Sequence, residues 1–252
     1  MYNIMNNSKT GMLANQGKID IISNNMTNAN TTGYKKLESG FLDLYTETLN
    51  RQSYPNNSKD AVTGTGVKIS QAIRNFEQGS LKNTEIKTDM AIDGEGFFRV
   101  IRPDGSFAYT RNGQFNLDSA GRLVDDSGNI LEIEFKNGRG YNNVNLADDL
   151  SVNKLGEVFS NKEKIGNISI YTSTGDNDFI SVGDSLFTAI KGANIQTSNN
   201  SNIMQGYTEM SNINMQNEMT EMIMAQRAFQ FNSRGMQVAD EMWGMINNLQ
   251  GR

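Results

Sequence analysis

Apolar residues recur every seven positions at both ends of the chain, and the stretch between them alternates like sheet. Near the start, Met5, Met12, Ile19 and Met26 keep this spacing, with Ser8, Asn15 and Ile22 at the intervening position. Near the end, Met215, Met222, Phe229, Met236 and Trp243 repeat it, with Ala225, Asn232, Ala239 and Ile246 between them. A seven-residue apolar repeat marks a coiled-coil seam rather than a lone surface helix. The terminal helices are therefore expected to pack on each other, on neighbouring subunits, or on both. That arrangement suits a building block.

Composition removes several other roles. The chain has 23 basic and 28 acidic residues, for a formal charge of -5, so no basic stripe exists to neutralise nucleic-acid phosphates. Cysteine is absent, which excludes disulfides, thiolate nucleophiles and sulfur-ligated metals. Histidine is absent too, and with it the usual general base near neutral pH and the commonest metal ligand. The first ten residues hold one positive charge and no continuous apolar run, so no cleavable signal peptide is read there. Nor does any apolar stretch reach the length of a membrane span.

The expected fold class is α+β. Residues 1–45 and 200–252 are assigned to a coiled-coil-like helical domain, 46–66 to an extended connector, 67–190 to a central all-β domain, barrel-like or sandwich, and 191–199 to a polar connector. The first helix should run from about 3 to 29 and stop near Asn30-Thr31-Thr32-Gly33, where glycine can take positive φ. Gly11 and Gly17 weaken it by roughly 0.5–1 kcal/mol each against alanine. Such a helix needs packing partners to persist. Phe41, Leu42, Leu44 and Tyr45 form an apolar patch read as a short helix. From Val67 the period becomes two. Phe97–Arg102, Pro103-Asp104-Gly105 and Ser106–Arg111 make a hairpin, since proline fixes φ, aspartate accepts backbone hydrogen bonds and glycine takes the left-handed position. Further strands are expected at 114–118, 122–124, 130–135, 150–153, 157–160, 165–171 and 179–187. A polar run extends to residue 206, and one helix is expected over 207–249.

Candidate chemistry is thin. Asp89, Asp93, Glu95, Asp125 and Asp126 sit beside glycine or asparagine in predicted turns, where carboxylates satisfy backbone amides; an acid/base pair needs two carboxylates in a cleft with separated pKa values. Asp125-Asp126-Ser127-Gly128-Asn129 lacks the ligand spacing and closing glutamate of a calcium loop. Gly64, Gly66, Gly94 and Gly96 form no phosphate-binding fingerprint. The methionines of the last helix, Met210, Met215, Met219, Met222, Met224, Met236, Met242 and Met245, are read as adaptable packing. Glu209, Glu218, Glu221, Asp240 and Glu241 are placed on its polar face, which argues against a membrane-surface helix. No catalytic residue, metal ligand, cofactor, nucleic acid or small-molecule substrate is expected.

Ile19-Asp-Ile-Ile-Ser-Asn-Asn-Met-Thr-Asn-Ala-Asn-Thr-Thr-Gly-Tyr-Lys35 closely resembles the N-terminal signature of bacterial flagellar rod and hook proteins, within it Ser23, Asn24, Asn25, Asn28, Asn30, Thr31 and Gly33. The resemblance continues through Phe41–Leu44, Gly64–Val67, Phe76–Thr84 with Gln78 and Gly79, Asp89–Phe98 with Gly94, Gly96, Phe97 and Phe98, and Tyr109–Gly113. It resumes at Gln205–Asn214, Gln226-Arg227-Ala-Phe229, Asn232 and Ala239–Met242. Met26-Thr27 and Tyr34 are mild departures. The resemblance implies an axial protein of the flagellar basal body whose terminal helices line an inner tube beneath a β-rich exterior. It also implies export by the flagellum's own secretion apparatus without a cleaved signal.

Length favours a rod component, distal or the similar proximal one, over the longer hook protein. The implied partners are further copies of the chain in a helical array, other rod proteins, the hook protein, bushing-ring proteins and the export apparatus. The assembly face is assigned to Met5, Met12, Ile19, Ile22, Met26, Met215, Met222, Ala225, Phe229, Met236, Ala239, Trp243 and Ile246. Two other readings compete: a cell-wall hydrolase clearing a path for the rod, which would need an acid in a substrate cleft, and a module that binds wall polymer or ring through residues 67–190.

Overall fold

The computed structural model describes residues 2–44, 46–48, 62–136, 140–141, 150–161, 163–175, 178–198 and 200–250. The architecture is α+β, with two long helices and a mainly β central region. The chain divides into two compact units. The first gathers the described residues of Met1–Thr27, Leu37–Arg74 and Asn214–Arg252, and the second those of Asn28–Lys36 and Asn75–Ile213. Residues 28–36 and 200–213, assigned from sequence to the helical domain, thus belong to the second unit.

In the first unit, helix α1 spans Tyr2–Thr27 and helix α2 spans Met215–Gln250. They run antiparallel: Ser8 lies at Gly235 and Gly11 at Asn232, while Asn25 reaches Glu218 near the other end. Asn214 caps α2. Its side-chain oxygen accepts the backbone N–H groups of Gln216 at 3.1 Å and Asn217 at 3.3 Å, meeting donors that the first turn leaves without helical partners. Three short strand pairs complete the unit: Leu37–Glu38 with Ile73–Arg74, Phe41–Asp43 with Val67–Ile69, and Thr46–Thr48 with Val62–Gly64. The apolar patch at Phe41 is therefore a strand and not the short helix its composition suggested, because ladder pairing with a β-branched segment overrides local preference. Tyr45 and residues 49–61 of the expected connector lie outside the described residues.

The second unit centres on a nine-stranded sheet. Its hairpin, Phe97–Ile101 with Phe107–Thr110, sets Phe98 opposite Thr110 and Ile101 opposite Phe107. Gly105 takes φ +81° in the turn, and the Asp104 carboxylate accepts the Ser106 N–H at 2.8 Å. Alternation then sorts the side chains. Phe98 and Val100 enter the main core, and Phe97 joins Tyr109, Tyr171 and Phe187 in an aromatic cluster on the other face. A four-stranded sheet carries Val152, Val158 and Ile165 into the same main core. The described strands do not close into a barrel.

Three expectations change here. The apolar run 165–171 is two strands, Glu163–Asn167 and Ile170–Ser173, split where the Ile168 N–H turns to the Gly156 carbonyl at 2.8 Å. The polar connector beyond 190 contains strands Ile195–Thr197 and Asn202–Gln205, the latter pairing with Met90–Asp93 and burying Ile203. The last helix starts eight residues later than expected, because Tyr207–Glu209 pairs with Leu81–Asn83.

Candidate assembly site

Every apolar position assigned to the assembly face is buried or half-buried within the chain. Met5, Met12, Ile19 and Met26 are half-buried along α1, and Ile22 is buried. On α2, Met215, Met222, Phe229, Met236, Trp243 and Ile246 are half-buried, with Ala225 and Ala239 fully covered between them. The two rows thus serve first to hold α1 and α2 together.

Small and polar residues make the close approaches. A Cβ on Gly11 would stand 2.7 Å from the Asn232 side chain, and one on Gly235 would stand 3.0 Å from the Ser8 hydroxyl. Asn15, also buried, donates to the Gly11 carbonyl at 2.7 Å. At the far end, the Asn25 amide donates to Glu218 at 3.2 Å and to the Leu37 carbonyl at 2.9 Å, and its oxygen accepts the Leu37 N–H at 2.9 Å. Glu218 was placed on the polar face of α2. It occupies instead the seam position between Met215 and Met222 and is 1% exposed. A buried polar pair at one seam position fixes register at some cost in stability. Its sequence signal was an acid at the heptad position. Lys18 and Glu221 add a partly exposed ion pair at 3.1 Å beside the seam.

The second unit holds a charged cluster that sequence reasoning did not single out. Glu209 is 1% exposed and lies in a strand, not on a helix face. One carboxylate oxygen accepts the Lys35 ammonium at 2.7 Å and the Gly79 N–H at 2.9 Å, and the other accepts the Arg111 guanidinium at 2.5 Å. Arg111 spends its remaining donors on the carbonyls of Ile92, Gly94 and Gly96, and Lys35 reaches the Glu77 carbonyl at 2.6 Å. Burial pulls the Lys35 ammonium below the ordinary lysine value, against the opposing attraction of Glu209. Buried charges persist only when their hydrogen-bonding capacity is met, and here each group is met by groups from distant segments.

This cluster explains much of the signature. Gly33 holds φ +66° while its N–H donates to the Glu209 carbonyl at 2.8 Å. Gly79 passes so close to Met210 that a side chain would overlap its carbonyl. Gln78 donates to the Ile92 carbonyl and accepts the Gly94 N–H. Gly94 and Gly96, with positive φ, present the carbonyls that Arg111 binds. Thr31 folds back on Asn28. Ser23, Asn24, Asn30, Gln226 and Arg227 are exposed. Asp125 accepts the N–H groups of Ser127 and Asn129, which is turn chemistry. Among the described residues no group of histidine, cysteine or acidic side chains is placed to hold a metal ion.

Residues 5–35 match the family described as flagella basal body rod protein, 91–160 the flagellar hook protein FlgE/F/G D1 domain, and 204–249 the flagellar basal body rod FlgEFG protein C-terminal. The flagellar basal-body rod protein FlgG of Borreliella burgdorferi is 36% identical over 253 residues, 95% of this chain and 96% of that protein. The chain belongs to the flagellar basal-body rod protein family. FlgG of Bacillus subtilis, another member, is 32% identical across 95% of this chain and 96% of its own length. The flagellar hook protein FlgE of Helicobacter mustelae is 38% identical over 130 residues, which is 49% of this chain but only 28% of that protein. Similarity to the rod family thus runs end to end, and similarity to the hook protein does not.

Proposed function

We propose that this chain is a structural subunit of the flagellar basal-body rod, without enzymatic activity, which transmits torque toward the hook as part of a helical, hollow shaft. The observation that carries this reading is the end-to-end similarity to proteins named as basal-body rod proteins, both helices included. The helical pair suits the role physically. It presents long, repeating surfaces, and copies related by a helical operator make contacts that need not close into a ring. The partners are other copies of the chain, neighbouring rod proteins and the hook protein. Bushing-ring proteins and the flagellar export apparatus complete the set, with export proceeding without a cleaved leader.

Phe229→Asp tests the helical pair's part in this role. The substitution puts a charge into the half-buried seam, where desolvation costs several kcal/mol. Expressed in a flagellated host that lacks its own rod protein, the unmodified chain should enter purified basal bodies and restore swimming. Phe229→Asp should do neither, while its β-rich unit still resists proteolysis. Normal swimming with Phe229→Asp would detach the seam from assembly.

A further inference from the structure

The β-rich unit ends in a segment that stands apart from its larger sheets. Strand Asn202–Gln205 pairs with Met90–Asp93, and Tyr207–Glu209 pairs with Leu81–Asn83. Each pair is a separate two-stranded ribbon, joined to neither the nine-stranded nor the four-stranded sheet among the described residues. A two-stranded ribbon is marginal by itself, so other contacts must hold residues 202–212 in place. Releasing them breaks no ladder of the larger sheets.

Those contacts fall at four points. Ile203 is buried in the main core, and the Gln205 amide donates to the carbonyls of Lys87 at 2.6 Å and Leu150 at 3.0 Å. Gly206, at φ +78°, bends the chain between the ribbons. Its N–H donates to the Asp89 carbonyl and its carbonyl accepts the Thr84 N–H, both at 2.8 Å. Glu209 then gathers Lys35, Gly79 and Arg111. Last, the Asn212 oxygen accepts the Lys36 N–H at 2.8 Å, and its amide donates to the carbonyls of Asn75 at 3.0 Å and Glu77 at 3.2 Å. Gly33, Lys35 and Lys36 thus all bond to this one segment. Opening it returns Glu209, Lys35 and Arg111 to water, a hydration that their mutual attraction only partly replaces. A cooperative piece held this way opens below the free energy of global unfolding.

We propose that residues 202–212 form a strap that opens and closes as one piece together with residues 33–36, while the nine-stranded sheet stays formed. Residues 33–36 come after α1 in the chain and the strap comes before α2. Closure therefore fixes both ends of the β-rich unit in one step.

Hydrogen exchange in the unmodified full chain, resolved by residue in rising sub-denaturing urea, tests this. The amides of Gly33, Thr84, Gly206 and Met210 each donate to a bond that opening breaks. They should share one protection factor and one urea slope. Glu132, whose N–H donates to the Arg99 carbonyl at 2.9 Å, should be clearly better protected. An amide responds to a substitution only if the opening that exposes it also breaks that residue's contacts. N212A should therefore lower the protection of all four amides by one factor, about tenfold. I203V, at the strap's other end, should lower it severalfold, and equally at Gly33 and Met210. Four amides as well protected as Glu132 would mean that residues 202–212 open only with the whole unit, which would overturn the strap. A response confined to amides beside each substitution would overturn its opening as one piece.

Discussion

Lys35, Arg111 and Glu209 share a site that water scarcely reaches, with side chains 1%, 3% and 0% exposed. Removing one partner of such a group costs more than the group's net worth, because it strands a charge in a poor solvent. Glu209→Gln strands two cations and should cost about 3–5 kcal/mol, seen as a lower urea midpoint with an unchanged slope. Lys35→Met removes one cation and leaves Arg111 with Glu209 as a neutral pair, so it should cost clearly less. Equal losses would mean that Lys35 carries as much of the site as the carboxylate. None of this was legible in the sequence, since Glu209 lies 174 positions from Lys35 and 98 from Arg111. Periodicity and turn rules register only neighbours. The glycines that crowd around the cluster were legible as a signature, but part of their reason, the close passage of the Arg111–Asn112 backbone at Gly33 and of the Met210 backbone at Gly79, appears only in three dimensions.

Elements with a local cause were readable. The hairpin at Pro103-Asp104-Gly105 follows from turn chemistry, and both helices follow from their heptads. Errors fell where pairing with a remote strand decided the outcome. The backbone of Tyr207–Glu209 is extended because Leu81–Asn83 is beside it, and no pattern within 207–214 says so. The seam of α2 makes a sharper claim. Ala239 is 0% exposed and Val238 is 54% exposed. Ala239→Leu should therefore force the helices apart and cost about 1–3 kcal/mol, whereas Val238→Leu should leave the thermal midpoint of the helical circular dichroism nearly unchanged. Equal midpoints for the two variants would deny that α1 covers Ala239.

At the scale of the molecule, the α+β class was visible in the change of period from seven to two, but the interleaving of the units was not. Both units are discontinuous, and Asn28–Lys36 belongs to the β-rich one although it continues directly from α1. That placement says where a truncation should end. Removing residues 1–27 deletes α1 and keeps Gly33 and Lys35, whose bonds to Glu209 help close the second unit. The shortened chain should therefore retain a β-rich unit with its full resistance to urea. Its α2 has lost the partner of its seam and should fray, because an isolated helix draws most of its stability from packing. Such a chain should not enter the rod, yet failure could arise at export rather than at assembly. Following secretion separates the two: the truncated chain is tracked outside the cell, then given an independently exportable leader, and basal bodies are examined for its incorporation. If it is exported and still left out, α1 is an assembly element. Incorporation without residues 1–27 would make α1 an export element only.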